Sequence, residues 1–259
     1  MTDVTPLRKQ YLEIKSKHPD AIVFFQLGDF YEAFDEDAEI AANELDVVLT
    51  SRPVAKNQRI PMAGVPCHAV EGYVARLIEK GYRVAIADQM DDTTSSGLVV
   101  RQVTRVVSPG TVVEPALLEE KRPNYLASVV IDENRAGLAY VDITTGEFAT
   151  TQLDRDEVEQ ELARVQPREC LVPERGRWGQ TTNGDQNGGG EAGGGKGAAS
   201  ALGHLGAGTH VTPLPSYRFE LGTARQVLQD HFGVATLDGF GCAGKPLAIR
   251  AAGSIIHYL

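Results

Sequence analysis

The sequence predicts an α/β chain in two domains. Between residues 5 and 107, apolar runs of strand length alternate with segments whose apolar positions repeat at helical spacing. After an acidic, proline-flanked break at 114–123, a meander of paired strands is followed by alternating helix and strand. A length of 259 residues accommodates two ordinary domains. The boundaries read as a first domain at 1–114, a linker at 115–124 and a second domain at 125–250, with 251–259 opening a further helix.

In the first domain, Thr5-Pro6 is a helix start, an N-cap oxygen followed by proline at the first helical position. Leu7, Tyr11 and Ile14 continue at helical spacing, and Pro19 ends the run. Lys9, Lys15 and Lys17 either contact phosphates or form a solvated outer face. The run AIVFFQL at 21–27 is a buried strand, broken by Gly28-Asp29. Phe30, Tyr31 and Glu32 follow in an extended segment, so Phe30 and Glu32 point to one side and Tyr31 to the other. Asp35 is placed to cap a helix through residue 45, with Ala38, Ala41, Ala42 and Leu45 inward. A strand is expected at 47–51 and a polar loop at 52–59 carrying Arg52, Lys56 and Arg59; such loops either touch phosphates or are simply solvated. IPMAGVP at 60–66 reads as a proline-bracketed apolar turn that holds Met62 in place. From His68 a helix buries Val70, Tyr73, Val74, Leu77 and Ile78 and closes at Gly81. Strands at 82–89 and 98–107 complete the domain around a polar break at 91–97.

The second domain begins with strands at 125–131, 137–144 and 146–151, then a helix at 154–165 and a strand at 169–172. A glycine-rich insertion at 176–210 is too polar to offset its chain entropy and reads as a disordered loop. A helix at 217–232 turns Phe219, Ala224, Val227, Leu228 and Phe232 inward, and another begins at Lys245.

Composition narrows the function. The net charge is −10, and residues 1–90 hold ten Lys and Arg against fourteen Asp and Glu. Non-specific affinity for nucleic acid comes from cations at phosphates, so any grip on DNA must be local. Cys67, Cys170 and Cys242 lie far apart with no C-x-x-C, which argues for free thiols in a reducing compartment and against a zinc site; His68 beside Cys67 lacks the further ligands a metal needs. No signal peptide is visible and no apolar run approaches 18 residues, so a cytoplasmic chain without membrane attachment is expected. Gly190–Gly197 nearly matches a phosphate-binding loop but ends in Gly197 where Ser or Thr should hold magnesium. Gly239–Gly244 fits G-x-G-x-x-G, but the strand before it is at most 234–237 and neither the acidic partner nor a second strand follows, so it reads as a helix-entry turn. A two-metal nuclease using Asp132 and Asp142 is the enzyme alternative, together with a nucleotide-binding α/β protein, but no convincing third acid accompanies the pair.

The Phe30–Glu32 pair carries a different chemistry. An aromatic ring can wedge between weakly stacked bases, and a carboxylate two residues on can hydrogen-bond the edge of a displaced base. From the residues alone a ring just before Ala33-Phe34 reads as a core position rather than a wedge.

GDFYEAF, followed by EDAEIAANELDVVLTSR and IPMAGVPCHAVEGYVARLIEKGYRVAIADQ, resembles the N-terminal mismatch-recognition domain of the MutS family of DNA mismatch repair proteins, and TRVVSPGT resembles its last strand. The family's F-x-E motif falls on Phe30 and Glu32. The resemblance implies that Phe30 stacks on the mispaired or unpaired base from the minor groove while Glu32 hydrogen-bonds it. It extends to Arg52 and Lys56 as DNA contacts and to Met62, whose loop lies near the wedge in the family. The second domain resembles the family's connector, a ribonuclease H-like α/β fold. Mismatched or looped duplex DNA is the implied ligand, with MutL as a partner through the connector, a homodimer in the intact protein, and a bacterial cytoplasmic location, nucleoid-associated on DNA. Residues 251–259 would lead into a core domain, and the ATPase, lever and clamp domains would lie beyond. ATP and magnesium therefore belong to the intact family protein. This chain is expected to be a fragment with no cofactor, metal or catalytic site of its own.

Overall fold

The computed structural model describes residues 5–55, 58–93, 99–113, 123–174 and 208–259. They divide into two units, Met1–Pro109 and Gly110–Leu259. Most of the expected linker at 115–124 and the glycine-rich segment up to residue 207, with its near-match to a phosphate loop, fall outside the described residues.

The first unit is a six-stranded mixed sheet with helices on both faces. Helix α1 (Pro6–Lys17) begins where Thr5 Oγ1 accepts from Arg8 N. Strand β1 (Ala21–Leu27) runs antiparallel to β2 (Phe30–Phe34) and parallel to β5 (Arg83–Thr93). With β3 (Thr50–Ala55), β4 (Gln58–Pro66) and β6 (Val99–Val107), the order is β3-β4-β2-β1-β5-β6. On one face α1 lays Tyr11 and Ile14 over Val23, Phe25 and Phe34. The Tyr11 ring meets Phe34 edge-on at 4.9 Å and Phe25 at 5.9 Å. Ile22, Phe24, Ala33 and Ile86 alternate to the opposite face, which α2 (Glu36–Leu45) and α3 (Val70–Glu79) cover. Lys15, read as a solvated or phosphate-binding cation, instead donates to the buried Asp37 at 2.8 Å, which also accepts from Val23 N.

Three expectations are corrected here. Asp35 does not cap α2 with its side chain: its backbone is left-handed at φ 55°, and its carboxylate pairs with Arg8. The strand expected at 47–51 lies later, at Thr50–Ala55, and of the expected polar loop at 52–59, residues 52–55 and 58–59 belong instead to the paired strands β3 and β4. IPMAGVP is no turn but most of β4. Its prolines fall where the ladder to β2 tolerates them, Pro61 just past the last pair, Phe34↔Met62, and Pro66 at the first, Phe30↔Pro66.

The second unit has a five-stranded sheet in the order β11-β10-β7-β8-β9. Strands β7 (Tyr125–Asp132), β8 (Arg135–Asp142) and β9 (Glu147–Asp154) form the predicted antiparallel meander. Strand β10 (Glu169–Pro173) joins β7 in parallel, and β11 (His210–Leu214) joins β10 in parallel. Helix α4 (Val158–Val165) packs Val158 and Leu162 against one face; α5 (Leu221–Phe232) and α6 (Pro246–Tyr258) cover the other. At Gly137 a Cβ would lie 2.0 Å from Leu247 O, so α6 crosses β8 where only glycine fits. Glu169, fully buried, accepts from Gly110 N at 2.9 Å and from the Thr212 and Tyr258 hydroxyls at 2.6 Å each.

Here too the structure departs from expectation. His210, assigned to the insertion, opens β11, whose short polar-flanked sequence lacks alternation. The boundary at 250 falls inside α6, where Ala251, Ala252, Ile255 and Tyr258 are core residues. Phe232, expected inward, is 39% exposed and stacks on Phe148 and Phe240 at the surface. The Gly239–Gly244 segment, by contrast, is the helix-entry turn expected: it begins inside a 3-10 turn, Asp238–Phe240, has Gly241 and Gly244 left-handed, and leads into α6. Among the described residues no helix is long and apolar enough to cross a membrane.

Candidate nucleic-acid interface

Phe30 is the first residue of β2, locked by pairing to Leu27 of β1 on one side and Pro66 of β4 on the other. Gly28, left-handed at φ 60°, makes the preceding turn, and Cys67 N donates to Asp29 O at 2.9 Å to hold it. The backbone under the ring is therefore fixed, yet the residue is 47% exposed while Phe34, two positions further along the same face, is 1%. Tyr31 points the other way, buried, with its hydroxyl on Asp88. The core alternative for Phe30 does not describe this ring.

Glu32 stands beside Phe30 on the same face, opposite Gly64 of β4. Its side chain is 15% exposed, and Oε2 accepts from Arg52 Nη1 at 2.6 Å. Burial pushes the carboxyl above its ordinary pKa; the Arg52 charge and hydrogen bond pull in the opposite direction without fully offsetting it. A Cβ on Gly64 would sit 3.7 Å from Glu32 Cγ and 3.8 Å from Phe30 Cδ1, so bare backbone forms the floor between ring and acid.

Of the residues expected to act together, Phe30, Glu32 and Arg52 converge. Met62 does not reach that exposed spot; it pairs with Phe34 and Thr50 and packs on the core. Lys56 lies outside the described residues. Two participants escaped sequence reasoning. One is Gly64, whose place opposite Glu32 follows once 60–66 is a strand. The other is Arg101, 8% exposed, its guanidinium 5.1 Å from the Phe25 ring centroid and donating to Gln26 O and Val99 O at 2.7 Å each. Burial and the nearby Arg52 charge lower its pKa.

The second unit does not bring the nuclease acids together. Asp142 pairs with Tyr125 at one end of the β7–β8 ladder and Asp132 with Arg135 at the other. Seven residues of strand separate them by roughly 23 Å, against about 4 Å between the ions of a two-metal site. Asp142 is occupied otherwise, accepting from Thr144 N and Oγ1, Thr145 N and Asn124 N around the hairpin turn. Among the described residues no group of three or more His, Cys, Asp or Glu is placed to hold a metal ion.

Models of two protein families match the chain: MutS domain I over residues 5–116 and MutS domain II over residues 124–259. The chain belongs to the MutS family. Among curated relatives, the DNA mismatch repair protein MutS of Dehalococcoides mccartyi is 46% identical over all of this chain and 28% of its own length. Those of Symbiobacterium thermophilum and Halothermothrix orenii are 45% and 42% identical, over 98% and 100% of this chain and 28% and 27% of theirs. The chain thus spans a little over a quarter of the length of these MutS relatives, and its two units correspond to MutS domains I and II.

Proposed function

We propose that the first unit recognises mispaired or looped duplex DNA by inserting the Phe30 ring from the minor groove while Glu32 hydrogen-bonds the displaced base. The observation that carries this reading is a half-exposed aromatic ring on a fully paired strand, with a carboxylate next to it on the same face. A duplex weakened by a mismatch costs less to unstack and kink than a paired one, so a rigid wedge selects it through deformation energy rather than through a base code. Arg52 offsets the repulsion that a bare carboxylate would meet at the phosphates.

The second unit, as connector, would relay the DNA-bound state to an ATPase in the whole protein and offer a surface to MutL. The exposed rings of Phe232 and Phe240 suit such a surface. Dimerisation, the ATPase and a nucleoid-associated cytoplasmic location are properties this reading assigns to the whole protein. The test is a low-salt titration of the chain with a fluorescent heteroduplex and its fully paired counterpart. Tighter heteroduplex binding that depends on Phe30 supports the proposal; equal binding of both duplexes overturns it.

A further inference from the structure

The ion pair at the wedge has a geometry that a merely solvated surface pair lacks. Arg52 reaches from β3, across β4, to Glu32 on β2, which lies opposite Gly64. It engages one carboxylate oxygen, Oε2, through one nitrogen. Among the described residues no other group hydrogen-bonds Glu32, so Oε1 remains available to a ligand beside Phe30. Among the described residues, α1 directs Arg8 to Asp35 and Lys15 to Asp37, and Arg101 on β6 lies beyond Phe25, bonded to carbonyls. The strands flanking Glu32 place uncharged Phe25 and Gly64 opposite it.

We propose that Arg52 is a positioning and specificity-determining residue: by holding Oε2 it aims Oε1 at the base beside the wedge and keeps Glu32 an acceptor. This deepens the mismatch-recognition reading and rests on it. An ionised carboxylate can only accept, so it favours base edges that present an N–H and disfavours those that present N7 or a carbonyl. Burial pushes Glu32 toward protonation and Arg52 opposes that push. Without the guanidinium the acid becomes a donor at higher pH, and its preference among base edges inverts.

Two measurements test this on the 259-residue chain. The first needs no DNA: the Glu32 carboxyl carbon is titrated by NMR in wild type, Arg52→Met and Arg52→Lys. The midpoint should rise in Arg52→Met and return toward wild type in Arg52→Lys; an unchanged midpoint in Arg52→Met overturns the proposal. The second is a double-mutant cycle on heteroduplex preference, the affinity ratio of mismatched to paired duplex. Arg52→Met should lower the ratio about 2- to 10-fold in the wild-type background, the net worth of one hydrogen bond. In the Glu32→Gln background, where charge is gone, it should change the ratio less than about 2-fold. If Arg52 instead only contacts phosphate, it weakens both duplexes alike in both backgrounds and the salt slope falls by about 1, which overturns the proposal. A wild-type chain that binds both duplexes equally refutes mismatch recognition itself, whereas additive Arg52 and Glu32 effects in a discriminating chain refute only the role given to Arg52.

Discussion

Replacing Phe30 with alanine separates the wedge from the core more sharply than any other substitution. Burying a whole phenylalanine side chain contributes about 1.5–3 kcal/mol, and at 47% exposure Phe30 realises about half, so Phe30→Ala should cost the fold about 1 kcal/mol. Phe34, 1% exposed and packed edge-on to Tyr11, is the internal control; Phe34→Ala should cost about 3–5 kcal/mol. On DNA the order reverses. Stacking an aromatic ring on a base is worth about 1–3 kcal/mol, so Phe30→Ala should cut heteroduplex preference about 5- to 150-fold. Urea unfolding gives the first pair of numbers, and fluorescence anisotropy with matched and mismatched duplexes gives the second. If Phe30→Ala destabilised the chain as much as Phe34→Ala, or left the preference intact, the ring would be a packing residue and the wedge reasoning would fail.

The remaining predictions concern stability and reactivity. Gly137→Ala would drive a Cβ to 2.0 Å from the Leu247 carbonyl, a backbone atom, and should cost at least about 1–3 kcal/mol by urea unfolding; near-wild-type stability would contradict the close crossing of α6 over β8. For Asp142, burial raises the carboxyl, but the bonds from Thr144, Asn124 and Thr145 outweigh it and hold the pKa below the ordinary value. A depressed folded pKa means that Asp142's stabilisation is present above the unfolded pKa, about 3.9, and is lost as pH falls through the folded one. Asp142→Asn should therefore flatten the loss of stability with acid below about pH 4, measured by urea midpoints across a pH series, and an unaltered slope would refute the assignment. Burial, with Glu169 next to it, pushes the Cys170 thiol up to about 12. A thiol reagent should therefore label the partly exposed Cys67 in the native chain and reach Cys170 only on unfolding, and mass spectrometry of modified peptides reads the order.

Where hydrophobic pattern dominates, the sequence was a good guide. AIVFFQL became β1 residue for residue, and the meander of the second domain and the helix closed at Gly81 all formed, because each buries a face whose spacing is visible locally. The failures share a cause in long-range pairing. IPMAGVP looks like a turn until β2 and β3 flank it, with Pro66 at one end of the ladder to β2 and Pro61 just past the other, and β11 pairs in parallel along the edge that β10 offers. The site followed the same division. Alternation along FYE put Phe30 and Glu32 together, and the resemblance attached a role to them. Nothing local joined Arg52 to Glu32, because that contact runs from β3 across β4 to β2 and so depends on a strand pairing that was not legible. Arg101 was equally hidden, since its stacking on Phe25 joins β6 to β1 across β5.

The buried carboxylate of Glu169 ties together segments that the chain keeps far apart. Gly110 opens the second unit and Tyr258 closes its last helix, yet both hang from the same two oxygens, with Thr212 as the third tenant. Removing any one of these donors takes a hydrogen bond from a buried acid. The start of the second unit and helix α6 are therefore held by one carboxylate, and loosening either withdraws a donor from it.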